Sequence, residues 1–157
     1  ENDVISIFMH NEGDISSEKI GEFIIETPDN IDFNESASFC YSSDYVLISY
    51  ADDKNNSSTV WKYQFDTSEV TQVSLDGYVG DFVTFDRFSY MAIYEDENTE
   101  VSCIYRLSND TDELLKIGQI EGWCSLFVGS DEGAYILKAT GEVLYCSNEG
   151  KIKKVCN

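Results

Sequence analysis

LISYADDKNNSSTVWKYQFDTSEVTQVSLDG, residues 47–77, is the stretch of sequence that decides the fold. It opens with an apolar run and continues into the polar segment 52–58, whose Asp, Asn and Ser residues favour a turn. The run TVWKYQF follows, and it places Trp61, Tyr63 and Phe65 on one face of an alternating pattern typical of a half-buried strand. A second polar segment, DTSE, leads into the run EVTQVSL. The stretch therefore predicts antiparallel strands joined by hairpins.

The pattern of this stretch recurs along the chain. Runs similar to YVLISYADD at 45–53 are VISIFMHNE at 4–12, YMAIYEDE at 90–97 and, more loosely, GAYILKAT at 133–140. Each run precedes a predicted strand with a central aromatic residue, and these residues are 40, 42 and 40 positions apart: Phe23, Tyr63, Tyr105 and Tyr145. The chain therefore repeats a unit of about 40 residues with four predicted strands, of which the first two are the more apolar.

The predicted fold is all-β, because a four-stranded antiparallel unit with dry inner strands and wetter outer strands is typical of a β-propeller blade. We predict a single domain over 1–157, with units at 1–34, 35–76, 77–120 and 121–157, the first of them incomplete. Propellers have about four to eight blades. The chain thus forms either a small four-bladed ring or part of a larger ring that further chain or a second copy completes. A β-sandwich or barrel built from the same hairpins is the alternative.

The stretch at 47–77 resembles a blade of the TolB-like and WD-repeat-like bacterial propellers. In those proteins a strand ends in a polar hairpin and is followed by an aromatic-rich strand, an Asp-Thr or Asp-Gly turn and a closing strand. DGYVGDFVTFD at 76–86 would lead into the next blade, although the Gly-His and Trp-Asp signatures of WD repeats are absent. The resemblance implies the architecture and no particular activity, since propellers have many unrelated functions.

The net charge restricts the partners. Ten Lys and Arg residues stand against thirty Asp and Glu residues, which gives −20. Such a field repels nucleic-acid phosphates and anionic membrane surfaces and attracts cations and basic partners. No apolar run reaches the roughly 18 residues that a membrane helix needs. We therefore predict no nucleic-acid binding and no membrane insertion.

The location is predicted from weaker signals. The chain begins with Glu1, which we interpret as a trimmed or mature form. Its Asn-x-Ser/Thr sequons, such as the one at Asn34, are expected by chance in a chain rich in Asn and Ser and do not identify a compartment. The compartment therefore stays open, with a preference for an extracytoplasmic or cell-surface location.

Five cysteines are present, an odd number without a CxxC pair. The last two lie in GEVLYCSNEGKIKKVCN at 141–157, which the repeat identifies as the third and fourth strands of the last unit. With a hairpin tip at 148–150, Cys146 lies opposite Ile152 or Lys153 and roughly 10 Å from Cys156. This distance excludes a disulfide in that register.

The sequence predicts no catalytic residue, no metal site and no cofactor. His10 is the only histidine, and no signature serine accompanies it as a triad would require. The acidic turns lack the spacing of calcium loops. Among thirty acidic residues, a pair of carboxylates suitable for glycoside hydrolysis carries little information. We therefore predict that the chain is not an enzyme.

The best candidate site is an acidic, aromatic rim. Tyr78 in DGYVGD and Trp123 in EGWCS occupy corresponding connections between consecutive units, and such connections line one mouth of a propeller. Asp76, Asp81 and Glu121 accompany them.

The predicted function is that of a non-enzymatic binding module, which recognises a protein or a glycan through its loops and can form a homodimer that completes the array of sheets. Two alternatives stay open. One is a non-catalytic or carboxylate-based hydrolase-associated domain of a larger enzyme, and the other is a structural role in a surface assembly.

Overall fold

The computed structural model describes residues 2–10, 16–26, 37–52, 54–95 and 100–156. This part of the chain contains fourteen β-strands and no helix. In chain order the strands are β1 (Asn2–His10), β2 (Ser17–Glu26), β3 (Ala37–Tyr41), β4 (Tyr45–Asp52), β5 (Ser57–Gln64), β6 (Val70–Asp76), β7 (Tyr78–Phe85), β8 (Phe88–Tyr94), β9 (Val101–Ser108), β10 (Leu114–Glu121), β11 (Cys124–Ser130), β12 (Gly133–Lys138), β13 (Val143–Ser147) and β14 (Ile152–Cys156).

The strands form four antiparallel sheets in which neighbours in sequence are neighbours in space. We call them the first sheet (β1–β2), the second sheet (β3–β6), the third sheet (β7–β10) and the last sheet (β11–β14). The predicted all-β class and the repeated four-stranded unit are confirmed. The first sheet contains two strands within the described residues, in agreement with an incomplete first unit.

Apolar side chains pack the sheets face to face in chain order. One core cluster joins the first sheet to the second, another joins the second to the third, and another joins the third to the last. The leading strands β3, β7 and β11 contact one another from sheet to sheet, as the inner strands of propeller blades do. No cluster within the described part of the chain joins the last sheet to the first. The described sheets therefore form a propeller-like, open stack.

The hydrogen bonds of the turns define which positions are equivalent between units. In all three complete sheets, the turn after the third strand is closed by a backbone N–H that donates to the carbonyl oxygen four or five residues later. The donors are Gln64, Ser108 and Ser147. Tyr63 precedes this position by one residue, Tyr105 by three and Tyr145 by two. The predicted equivalence of these three tyrosines is therefore wrong, because spacing in sequence does not reveal how many residues each hairpin contains.

The C-terminal stretch is the β13–β14 hairpin, as the sequence predicts. Cys146 lies opposite Ile152, and Cys156 lies opposite Val143 at the other end of the pair. All five cysteines are free thiols. The stretch is a structural edge of the last sheet.

Thiol labelling is expected to separate one fast cysteine from four slow ones. Cys156 is exposed, whereas Cys103, Cys124 and Cys146 are buried and Cys40 is partly buried. Burial raises the pKa of the Cys40 thiol to about 12 and that of Cys146 to about 11, so little reactive thiolate forms at pH 8. A chromogenic disulfide reagent should therefore titrate one thiol per native chain rapidly. In Cys156→Ser this fast phase should disappear, and its persistence would contradict the burial of the other four.

One charged side chain is buried between the second and third sheets. Lys62 on β5 is 5% exposed, and its Nζ donates to the backbone oxygen of Asn109 and, at 2.8 Å, to Oδ1 of Asp112. Its Nζ also lies 5.3 Å from the centre of the Tyr45 ring. Lys62 therefore ties the strand that contains Trp61 to the β9–β10 turn of the neighbouring sheet.

Candidate functional site

The connections between consecutive sheets share one clamp. Gly77 and Gly122 both adopt positive φ, at 93° and 86°, which is the region that favours glycine. Ser58 Oγ donates to the Gly77 carbonyl oxygen at 2.9 Å, and Ser102 Oγ donates to that of Gly122 at 2.7 Å. Each glycine N–H in turn donates to the carbonyl oxygen two residues before its serine. The clamp places Tyr78 and Trp123, which follow the glycines, at corresponding places in consecutive units.

Trp123 projects from the second of these connections. Its side chain is 52% exposed, yet its ring lies against Tyr94 with centroids 4.1 Å apart and planes inclined by 41°. Tyr94, at the end of β8, is buried, and its hydroxyl donates to the Cys124 carbonyl oxygen at 2.6 Å. Gly80 on β7 makes room for the Tyr94 ring, because a Cβ at that position would overlap it. Trp123 is thus an exposed aromatic ring on a fixed support.

Trp123 and Tyr94 belong to a cleft of about 260 Å³ between the third and last sheets, which we call the Trp123 cleft. Its lining residues are Tyr94, Trp123, Cys124, Ser125, Leu137, Lys138 and Ala139. The Lys138 Nζ lies 3.9 Å from Oε2 of Glu142. The sequence indicates Trp123 here but not Tyr94, Leu137 or Lys138, because the β11–β12 register that brings Lys138 opposite Cys124 is a long-range feature.

Asp81 has a structural position. Its side chain is partly buried on β7, where Oδ2 accepts the Leu126 N–H at 3.0 Å and Oδ1 accepts the Phe82 N–H at 2.8 Å. The bond to Leu126 joins β7 to β11 of the last sheet. The two carboxylate oxygens are therefore engaged by backbone groups beneath the rim.

The remaining predicted rim residues lie at strand ends next to the two connections between sheets. Asp76 and Glu121 are exposed at the ends of β6 and β10, and Tyr78 is half-buried. Tyr78 lies opposite Tyr94 in the β7–β8 pair. The structure therefore connects Tyr78 to Trp123 through Tyr94, with Glu121 two residues before Trp123 and Asp76 two residues before Tyr78.

Acidification is expected to stabilise the native state through Asp81. Burial raises the pKa of the Asp81 carboxyl above its ordinary value, against the opposing effect of the Leu126 and Phe82 N–H groups. The folded state therefore keeps this proton to a higher pH than the unfolded state does. The contribution is fully present below about pH 4 and is lost as the pH rises through the folded pKa.

This contribution can be isolated by denaturant unfolding of the wild type and Asp81→Asn across pH 3 to 7. The unfolding free energy of the wild type minus that of the variant should fall as the pH rises from about 4. A difference that is constant with pH, or that rises, would contradict the raised pKa.

A larger groove of about 1100 Å³ lies between the first sheet and β3–β4. Phe39 and Tyr41 on β3 are 72% and 71% exposed within it, because β1 and β2 cover only β4 and β5 of the second sheet. His10 also lines this groove, which we call the β3 groove.

The described residues lack two kinds of feature. They include no group of three or more His, Cys, Asp or Glu side chains arranged to hold a metal ion. They also include no apolar helix of a length that could cross a membrane.

In comparisons of the amino-acid sequence, no protein-family model matches this chain. No curated protein matches it significantly.

Proposed function

We propose that this chain is a binding module that recognises a basic protein segment through the Trp123 cleft. The proposal rests on the exposure of Trp123, which is more than half exposed although its ring is held against buried Tyr94. Tryptophan is enriched among residues that dominate binding energy, and a ring that is already held loses little conformational entropy on binding.

The charge distribution favours a cationic partner. Twenty-six of the thirty acidic residues and six of the ten basic residues lie in 1–123, so this part carries the whole net charge of −20. A field of this sign speeds the approach of a basic segment. An arginine or lysine can then lie over the face of the Trp123 ring, with a gain of about 0.5–1 kcal/mol or more at such a site. Lys138, the one cation among the described residues that line the cleft, is close to Glu142.

A hydrolytic function has less support in the geometry. Asp81, the partly buried carboxylate of the predicted rim, uses both oxygens to accept backbone N–H groups, whereas a general acid or base must be free to exchange a proton with substrate. The hydrolase-associated domain therefore stays an alternative prediction.

The proposal can be tested by the fluorescence anisotropy of a labelled arginine nonapeptide. The wild type should bind it, and Trp123→Ala should weaken binding by about tenfold, the effect of roughly 1.4 kcal/mol. Phe85→Ala is the matched control, because Phe85 is also an exposed aromatic residue. It lies at the end of β7 far from Tyr78, the residue that pairs with Tyr94 of the cleft. The affinity of this variant should equal that of the wild type.

Stability should change little in Trp123→Ala, by about 1 kcal/mol from the lost ring contact with Tyr94. Equal binding of the peptide by Trp123→Ala and the wild type would contradict the proposed site. Binding of a neutral oligosaccharide such as cellohexaose, lost in Trp123→Ala, with no binding of the arginine peptide, would replace the basic segment with a glycan.

A further inference from the structure

We propose that two copies of this chain join head to tail, the outer face of the last sheet of each copy covering the first-sheet end of the other. The outer face consists of Phe127, Tyr135, Leu137, Val143 and Tyr145. The first-sheet end consists of Val4, Phe8, Ile24, Phe39 and Tyr41. The outer face shares Leu137 with the Trp123 cleft but is argued from different observations.

The outer face of the last sheet follows from strand alternation. Ala134 and Ile136 on β12 point into the core shared with the third sheet, so Tyr135 and Leu137 point away from it. Phe127 and Leu137 are 48% and 42% exposed.

The aromatic rings on this face form one row. The Phe127 ring lies 5.9 Å from that of Tyr135, and the Tyr135 ring lies 5.0 Å from that of Tyr145. The Lys153 Nζ lies 5.2 Å from the centre of the Tyr145 ring. No sheet of the described chain packs on this row.

The strand register shows that the equivalent face of the third sheet packs against the next sheet. The N–H groups of Asn109 and Asn148 donate to Arg87 and Glu132, so Tyr90 on β8 and Tyr135 on β12 occupy equivalent positions. The Tyr90 hydroxyl crosses to the next sheet, where it donates to the Ser130 carbonyl oxygen at 2.6 Å and contacts Asn148 Oδ1 at 3.0 Å. Tyr135 thus stands where its counterpart makes an interface between sheets. The proposed contact continues this interface.

At the opposite end of the stack, the first sheet exposes apolar side chains on the face that points away from the second sheet. Phe23 and Ile25 face the second sheet, so Val4 and Ile24, which pair across β1 and β2, face outward and are exposed. Beside them lies the β3 groove, with Phe39 and Tyr41 facing the same way. The two ends therefore present apolar surfaces that face away from opposite sides of the stack.

Charge selects the pairing of unlike ends. Residues 124–156 contain four acidic and four basic residues and are neutral overall, although the whole chain carries −20. Three of these cations lie on or beside β14: Lys151, Lys153 and Lys154. The first sheet carries exposed Glu18 and Glu22, of which Glu22 is paired with Lys19. A contact between the neutral last sheet and the acidic first-sheet end therefore involves less charge repulsion than a contact between two acidic surfaces.

The number of sheets agrees with a closed pair. The described part of one chain contributes four sheets, so two chains contribute eight, the upper end of the common range of about four to eight propeller blades. Head-to-tail contacts form a ring when the rotation between copies closes and a filament when it does not. In a closed pair both contacts are satisfied.

Analytical ultracentrifugation tests the proposal. The wild type should sediment as twice the 17.8 kDa chain. Phe127→Asp and Phe39→Asp should each sediment as monomers, because each blocks both contacts of a pair of identical variants. An equimolar mixture of the two variants should form a 1:1 pair, since one unmodified contact then remains. Phe85→Asp, exposed but at neither end, should stay dimeric.

Circular dichroism of both variants should match the wild type; should Phe127→Asp fail to fold, Leu137→Lys takes its place in the same mixture. A monomeric wild type, or concentration-dependent filaments, would overturn the proposal. So would a dimer that survives both substitutions, and so would variants that stay monomeric when mixed.

Discussion

Ile136→Ala is expected to lower the free energy of unfolding by about 3 kcal/mol, within the range of about 2–5 for removal of a buried isoleucine side chain. Ile136 on β12 is fully buried in the cluster that joins the third and last sheets. It packs in that cluster with Tyr90, Ala92 and Ile104 from the third sheet. Truncation leaves a cavity at an interface that β-strands, hydrogen-bonded on both sides, cannot readily close.

Leu137→Ala is the matched control, because the neighbouring residue on the same strand points to the outer face. In dilute, monomeric protein this substitution should change the free energy of unfolding by about 0.5 kcal/mol or less. Urea unfolding of both variants measures the contrast. Equal losses in the two variants at low concentration would contradict the assignment of faces. At high concentration Leu137→Ala should become more destabilising, since the head-to-tail pair buries that face.

Lys62→Ala is expected to be comparably destabilising, by about 3 kcal/mol, the lower part of the range for removal of one partner of a buried ion pair. The substitution leaves the Asn109 carbonyl oxygen and the Asp112 carboxylate without their cationic donor. Asp112 is partly exposed, which places the expected loss in the lower part of that range.

The control for Lys62 is an ion pair of the same length at the surface. The Lys116 Nζ lies 2.7 Å from Oε1 of Glu95, against 2.8 Å for Lys62 and Asp112. Because Lys116 and Glu95 are both exposed, Lys116→Ala should lower the free energy of unfolding by less than about 1 kcal/mol. Thermal and urea unfolding of the two variants should separate them clearly. Similar losses for Lys62→Ala and Lys116→Ala would show that burial does not strengthen the Lys62 contact.

The fold class could be predicted because its signals are local. Alternation in TVWKYQF and the turn residues on either side of it define β5 and its two hairpins without knowledge of any distant residue. The same reasoning predicts the β13–β14 hairpin, in which Cys146 lies opposite Ile152.

The repeat of the units could be predicted but their residue-by-residue equivalence could not, because the hairpins differ in length and bulges change the register within the sheets. Shifts occur between Val79 and Asp81 on β7 and between Lys116 and Gly118 on β10. A further shift occurs on β11 after Leu126. Each shift adds a residue that spacing in sequence counts but strand pairing does not. Of the aligned tyrosines, Tyr63 and Tyr105 face the preceding sheet, whereas Tyr145 lies on the outer face of the last sheet.

The sequence indicates the local features of the candidate site but not its long-range contacts. Trp123 follows a glycine between two units, which is a local signal, whereas its support, Tyr94, comes from the far end of β8. Lys62 lies on a half-polar face of β5 and resembles any solvated lysine in the sequence. Its partners are 47 and 50 residues later, beyond the reach of pattern analysis.

The open order of the sheets has a consequence for how the molecule unfolds. Among the described residues each sheet shares a core only with its neighbours in sequence, so its local stability is the sum of its own strand pairing and of one or two nearest-neighbour couplings. The second and third sheets each have two such couplings, whereas the last sheet has one. A single chain therefore behaves as a short row of coupled units that opens from its ends, and closure with a second copy turns the row into a cycle without ends.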